Sequence, residues 1–219
     1  MQRLFVIEGT DGSGKGTQTR KLRERFEKEG HEVETIDFPQ YERNSSGLIK
    51  EYLNGTYGSA EEVGPYRASI FYACDRYDAS FKIRRWLDKG KVVIADRYVS
   101  SNMGHQASKI DDPSKRERYL KWLDHLEHEI FGIPRPTAII YLHVPAEIGQ
   151  ELVKKKMLRT YIKDDTADIH EKDISHLKKA EKTYNEISEK FGWIKIECMK
   201  EGKIMDIEEI HEKIWNHIP

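Results

Sequence analysis

The chain has 219 residues, enough for one domain with a large core and short for two. Its 37 Lys and Arg balance 38 Asp and Glu, for a net charge of −1, so the basic excess of a nucleic-acid or anionic-membrane binder is missing. No apolar run reaches the roughly 18 residues of a membrane helix, Cys74 and Cys198 lack the spacing of a metal site or disulfide framework, and Arg3 and Glu8 argue against a secretory leader, so the expectation is a cytoplasmic protein with one domain over residues 1–219.

In chain order, residues 4–7 form a near-continuous apolar run ending at Gly9, and residues 33–39 a second extended run in which Pro39 keeps Phe38 out of helix. Residues 92–95 and 138–142 are further apolar runs, ending at Asp96 and Pro145, and Ile194 and Ile196 mark a last, more amphipathic strand. Continuous apolar runs of this length predict central parallel strands covered on both faces. Between them, helical spacing joins Val63, Tyr66, Ile70, Tyr77 and Phe81, then Tyr119, Leu123, Leu126 and Ile130. It also joins Ile174, Leu177, Tyr184, Ile187 and Phe191, and finally Ile207, Ile210, Ile214 and Ile218. Gly30 and Gly90 each follow a charged last turn and precede a strand, as helix C-caps do. The alternation predicts an α/β fold in which a five-stranded parallel sheet is flanked by helices. The polar, aperiodic stretch from Lys154 to Asp168 reads as a mobile surface segment.

The first strand runs into Gly9-Thr10-Asp11-Gly12-Ser13-Gly14-Lys15-Gly16-Thr17, which satisfies G-x-x-x-x-G-K. Glycines let backbone N–H groups wrap phosphate oxygens, the following helix adds its N-terminal partial charge, and Lys15 reaches the outer phosphates. Placement between a strand and an amphipathic helix bearing Leu22 and Phe26 removes most chance matches. Gly16 stands where a Ser or Thr usually ligates Mg²⁺, leaving Thr17 or water to complete the shell; Asp96 is the acidic group expected near the metal, whose ligands stay unassigned. A guanine-reading Asn-Lys-x-Asp is absent, which argues against a switch GTPase.

At this size the pattern resembles the nucleoside monophosphate kinases, and most closely the thymidylate (dTMP) kinase family. The opening from Glu8 to Gln18 looks like that family's E-G-x-D-G-x-G-K-x-T-Q, and Phe38-Pro39 matches its F-P dipeptide. Tyr72 to Arg76 resembles its F-x-x-x-R, Asp96-Arg97-Tyr98 its D-R-Y, and Asp168 to Glu171, followed by Tyr184, its lid boundary and next helix. The resemblance implies a P-loop NTPase-type three-layer sandwich, ATP as phosphoryl donor with Mg²⁺, dTMP as acceptor, a lid near residues 154–171, and a homodimer to which the long helix from Val63 to Leu87 could contribute. Thr10, Asp11, Gly12, Ser13, Gly14, Lys15, Gly16 and Thr17 would hold ATP, and Lys15, Asp96, Arg97 and Arg159 would serve catalysis. Asp11, Phe38, Arg43, Tyr72, Arg76, Arg97, Asn102, His105 and Gln106 would bind the acceptor. Tyr72 and Arg76 are four apart on one helix face, which suits a pyrimidine stacked on the ring with its carbonyl bonded by the guanidinium; a core tyrosine with a paired arginine fits the same spacing. Arg97 would hold the acceptor phosphate bidentately, and Asp11 the sugar 3′-hydroxyl.

The sequence departs from the family at several points. Asp37 precedes Phe38-Pro39 where arginine is common, and Arg43 is expected to supply that charge. Tyr72 replaces a phenylalanine, His105 stands where a tyrosine adjoins the sugar, and Gly16-Thr17-Gln18 is the adenylate kinase version. Gly12 leaves the loop without an arginine, so the lid's Arg159, beside Lys154, Lys155, Lys156 and Lys163, is expected to close on the phosphates. A phosphate monoester is already an oxyanion at neutral pH, its second pKa being ~6, so no general base is needed. Another nucleoside monophosphate kinase, with AMP, CMP or UMP as acceptor, and a non-catalytic nucleotide-binding module are the alternatives. Small-molecule nucleotides are the expected partners, with no nucleic-acid polymer and no membrane.

Overall fold

The computed structural model describes the backbone of residues 2–159 and 174–218 and the side chains of 2–155 and 174–218. Its strands are β1 (Arg3–Glu8), β2 (Val33–Asp37), β3 (Val92–Asp96), β4 (Ala138–His143) and β5 (Ile194–Glu197), all parallel in one sheet of order β2-β3-β1-β4-β5. A short antiparallel pair, β6 (Met199–Lys200) and β7 (Lys203–Ile204), follows. The helices are α1 (Lys15–Lys28), α2 (Gly47–Leu53), α3 (Ala60–Asp88), α4 (Val99–His105), α5 (Pro113–Asp124), α6 (Ala146–Arg159), α7 (Ile174–Lys190) and α8 (Ile207–Trp215).

The period of two along each strand splits the core into two layers. Leu4 and Val6 of β1 join Val93 and Ala95 of β3 against Ala79, Ile83 and Leu87 of α3 and Tyr119 and Leu123 of α5. Phe5 and Ile7, with Ile94, Ile140 and Leu142, face the other way onto Leu22 and Phe26 of α1 and Ile210 and Ile214 of α8. Both faces of the central strands are therefore covered, as their unbroken apolar runs require. Gly30 and Gly90 adopt φ of 85° and 74° directly after α1 and α3, the left-handed conformation that ends a helix without Cβ strain. Among the described residues no helix is long and apolar enough to cross a membrane.

Two helical faces differ from the periodicity reading. In α3 the stripe of Tyr66, Ile70, Tyr77 and Phe81 points outward, at 40–51% exposure, while Ala68, Ala73, Ala79 and Ile83 pack inward. Small residues on the inner face let the helix approach the sheet closely, and the large ones are left outside. After α5 the chain makes a π-helical turn, His125–Ile130, that adds a residue to the turn. It leaves Ile130 62% exposed and Leu126 half-buried while Glu127 is enclosed. Of the predicted lid, the side chains of Lys154 and Lys155 are described and exposed; Lys156, Arg159 and Lys163, and the Asp168 to Glu171 motif, lie outside the described side chains.

Helix α4, which follows Arg97, docks on α7 through Gly104. A Cβ there would sit 2.2 Å from the ring of Tyr184, which is itself wholly buried. Gly104→Ala should therefore cost about 1–3 kcal/mol through overpacking, read as a lower urea midpoint; an unchanged midpoint would mean that the ring moves aside freely.

Candidate functional site

The loop between β1 and α1 lies at the carboxyl edge of the sheet, where β1 and its neighbour β4 send their connections in opposite directions and open a crevice. Gly14, at φ 88°, caps α1, and Lys15 is its first residue, with Nζ donating to the Thr10 carbonyl at 2.9 Å and lying 3.7 Å from Asp11 Oδ1. The loop rests on α6 backbone to backbone: a Cβ on Gly12 (φ 81°) would lie 2.1 Å from the Gly149 carbonyl oxygen, and one on Gly149 2.5 Å from that of Asp11. The Thr10 and Ser13 hydroxyls are buried and have no hydrogen-bond partner among the described residues, which leaves them open to an anion lodged in the loop. Gly16 is exposed and Thr17 half-buried. A Cβ on Gly16 would be 3.5 Å from Asp96 Oδ2, so Asp96 lies next to the point from which a P-loop hydroxyl would normally reach a metal.

Beside the loop opens a cavity of about 280 Å³ between the Phe38–Pro39 segment, α3 and α4. Of the predicted acceptor-site residues, Asp11, Phe38, Tyr72, Arg76, Arg97, Asn102, His105 and Gln106 all line it. Arg43 does not; its guanidinium is mostly exposed and stands 3.9 Å from Asp78. Phe38 and Pro39 are joined by a cis peptide bond, and the turn after them is fixed by buried Asp75, which accepts from the Gln40 N–H at 2.8 Å and the Ser45 hydroxyl at 2.6 Å. Asn102 is held by its Nδ2 donating to the Ser69 carbonyl at 3.3 Å, and Gln106 by accepting from Lys109 Nζ at 2.9 Å.

Arg97 joins loop and cavity. Its φ of 70° puts a non-glycine residue in the left-handed region, where its N–H still donates to the Ile7 carbonyl at 3.0 Å. The guanidinium donates to Asp11 Oδ1 at 2.5 Å, and more weakly to Ser101 Oγ and His105 Nε2, each at 3.4 Å. Behind it, Glu8 is fully buried and accepts from Ser101 Oγ at 2.7 Å and from Tyr184 Oη at 2.7 Å. Burial pushes the Glu8 carboxyl up, the Arg97 charge only partly opposing it. Burial would also raise Asp11, but Arg97 and Lys15 outweigh it and hold that carboxyl well below its usual range. Burial and the Arg97 charge lower Lys15 against the pull of Asp11, Asp96 and Glu8, whereas Asp11 and Glu8 overcome desolvation and raise Arg97. The arrangement is a pair of enclosed cations pinned by carboxylates, able to take up anionic oxygens in their place.

Arg76, also on the cavity lining, is 2% exposed and bound to Glu127, which is wholly enclosed: Nε lies 3.0 and 3.1 Å from the two carboxylate oxygens and Nη2 2.5 Å from Oε1. Burial disfavours the Arg76 charge, and Glu127 more than restores it. Sequence reasoning missed Glu127, Glu8 and Asp75. Glu8, an acid closing a buried apolar strand, could have been singled out by its position; Glu127 lies 51 residues from its partner and carries no such signal.

Comparison with known proteins gives one family model, described as Thymidylate kinase, matching residues 7–214. Thymidylate kinase of Mycobacterium tuberculosis is 30% identical over 192 residues, 87% of either chain. The probable thymidylate kinase of Pyrococcus abyssi is 30% identical over 213 residues, 96% of this chain and 93% of its own. A solved structure of thymidylate kinase from Candida albicans shares the fold, with a TM-score of 0.72 at 22% identity over 98% of this chain and 90% of that one.

The Asp11–Arg97 pair sets a pH dependence. Asp11 titrates lower in the folded chain than its ordinary 3.8, so its contribution is fully present above the unfolded value and is lost as pH falls through the folded one. The stability difference between the wild type and Asp11→Asn should be largest above about pH 5 and shrink below about pH 4, measured by urea unfolding at each pH. A difference that is flat from pH 6 to pH 3 would show that the pair contributes nothing.

Proposed function

Because the chain belongs to the thymidylate kinase family, ATP-dependent phosphotransferases acting on nucleoside monophosphates, we propose that its cavity takes dTMP, with the base between Tyr72 and Arg76 and the 5′-phosphate at Arg97. What supports this reading is that Tyr72, Arg76, Arg97 and Asp11 all line one cavity, and that Asp11 also meets Lys15 of the glycine-rich loop. The Tyr72 ring beside a guanidinium neutralised by its carboxylate partner suits a pyrimidine carbonyl, and Arg97 with Lys15 suits a phosphate. Phe38 adds an apolar wall, Asn102 and Gln106 offer amide groups, and Asp11 and His105 stand where a sugar would lie.

The residues present fit ATP. Lys15, the partnerless Thr10 and Ser13 hydroxyls and the glycine-lined backbone from Gly12 to Thr17 hold its phosphates. Mg²⁺, with Asp96 and water as oxygen ligands beside Gly16, would add charge neutralisation. With the acceptor already an oxyanion, the chain's task is to hold two anionic groups in line and offset their repulsion. Lys15 and Arg97 do this after exchanging Asp11 for phosphate oxygens, which frees Asp11 for the sugar. Arg159 as a closing cation, and Arg43 as a further phosphate contact, rest on the sequence resemblance alone.

The whole chain, 1–219, then works as one kinase domain, with residues 154–171 as its lid. A homodimer through α3 is part of the reading, supported by the outward row of Tyr66, Ile70, Tyr77 and Phe81. A cytoplasmic location agrees with free thiols at Cys74 and Cys198.

ADP release with Mg-ATP and dTMP, dUMP, UMP, CMP, AMP or GMP as acceptor tests the substrate: dTMP should give the highest kcat/KM, and preference for AMP or CMP would overturn it while leaving the kinase chemistry. Lys15→Ala should lower kcat with dTMP by about 10²–10³-fold at an unchanged circular dichroism spectrum. A near-normal rate would remove Lys15 from the mechanism.

A further inference from the structure

We infer that Glu127 is the positioning residue that makes the base end of the cavity selective for a carbonyl acceptor, acting through Arg76. The inference deepens the reading above and rests on it. Arg76 has five N–H donors in a rigid fork. Its Nε–H and one Nη2 hydrogen go to Glu127, and Nη1 donates to the Tyr98 carbonyl at 3.4 Å. The donors left to face the cavity are one hydrogen on each terminal nitrogen, so Arg76 offers a ligand donation only. Glu127 is fully enclosed and does not line the cavity, so its oxygens, which would welcome an amino group, are kept from the base. A cavity wall built this way bonds a ring carbonyl and leaves an exocyclic amine facing a donor, the kind of mismatch that discriminates strongly between close analogues.

Charge works in the same direction. A lone guanidinium buried this deeply would be expensive and would attract any anion that entered. Both arginines are paired, but Glu127 is fully enclosed whereas Asp11, the partner of Arg97, is partly exposed, so a phosphate can displace the carboxylate at Arg97 and not at Arg76. The carboxylate is in turn fixed by its backbone: the π-helical turn is closed by the Ile133 N–H donating to the Glu127 carbonyl at 3.0 Å and the Phe131 N–H donating to that of Leu126 at 2.9 Å. Tyr98, whose carbonyl receives Arg76, is the residue after Arg97, and its hydroxyl donates to the Pro134 carbonyl at 3.0 Å. Base reader and phosphate reader are thereby set at a fixed spacing by the residues at the end of β3.

Steady-state kinetics of the full chain separate this from the substrate assignment. If the wild type fails to prefer dTMP over dCMP, the substrate reading falls, whatever Glu127 does. If it does prefer dTMP, Glu127→Gln should raise KM for dTMP about tenfold or more and narrow the dTMP-to-dCMP ratio, with kcat and KM for ATP within about threefold of wild type. An unchanged KM for dTMP in the folded variant, or equal rises in KM for both substrates, overturns the inference in favour of simple packing. Should Glu127→Gln not fold, Glu127→Asp keeps the charge but withdraws the carboxylate by one methylene, and the same split of KM against kcat decides. In wild-type enzyme labelled with ¹⁵N-arginine, the Arg76 Nε–H should exchange slowly both free and with dTMP bound; its release on binding dTMP would show the pair breaking, and would equally overturn the inference.

Discussion

A guanidinium at the end of a buried strand cannot stand alone, and the architecture of the site follows from how Arg97 is kept charged. Burial by itself would favour losing the charge, so carboxylates must lie close. Asp11 supplies the direct contact, and Glu8 a second negative charge one layer deeper. Glu8 in turn is enclosed, and stays satisfied because Ser101 of α4 and Tyr184 of α7 donate to it. One buried cation thus ties the loop after β1, α4 and α7 to the ends of β1 and β3, and the left-handed φ at Arg97 is where the backbone accommodates that aim.

The same logic separates the two arginines of the cavity. Lys15 and Arg97 share Asp11, a partner that is partly exposed and therefore exchangeable for an anionic ligand. Arg76 has Glu127, a partner sealed from water and gripped through the backbone of a π-helical turn. A loosely held cation suits a group that arrives and leaves with the substrate; a tightly held one suits a fixed hydrogen-bond template.

Much of this was legible in the sequence because it is local. The unbroken apolar runs gave β1, β3 and β4 within a residue or two, G-x-x-x-x-G-K placed Lys15 at the start of α1, and the four-residue spacing of Tyr72 and Arg76 brought both to one wall. What stayed hidden is non-local or depends on which face turns inward. The stripe on α3 has helical period on both its sides, so periodicity could not say that alanines rather than Tyr66, Ile70, Tyr77 and Phe81 face the sheet. The π-helical turn after α5 breaks the 3.6 period that would have extended the inward line to Ile130, and it encloses an acid that polarity alone would place in water. Arg43, singled out by motif spacing, stands beside Asp78 and off the cavity lining, a side-chain position that spacing does not determine.

The backbone contact between Gly12 and Gly149 limits how this enzyme could be rebuilt. The two positions exclude side chains reciprocally, one carbonyl against the other's missing Cβ, and Gly12 has in addition a backbone conformation that other residues rarely adopt. A substitution at either would have to push α6 away from the loop. Arginine cannot simply be transplanted into the loop at position 12, so an evolutionary exchange of a loop arginine for one on the segment after α6 would have to pass through both sites together. The glycine pair thus couples the loop to α6 sterically: added bulk on either side has to be matched by withdrawal of the other.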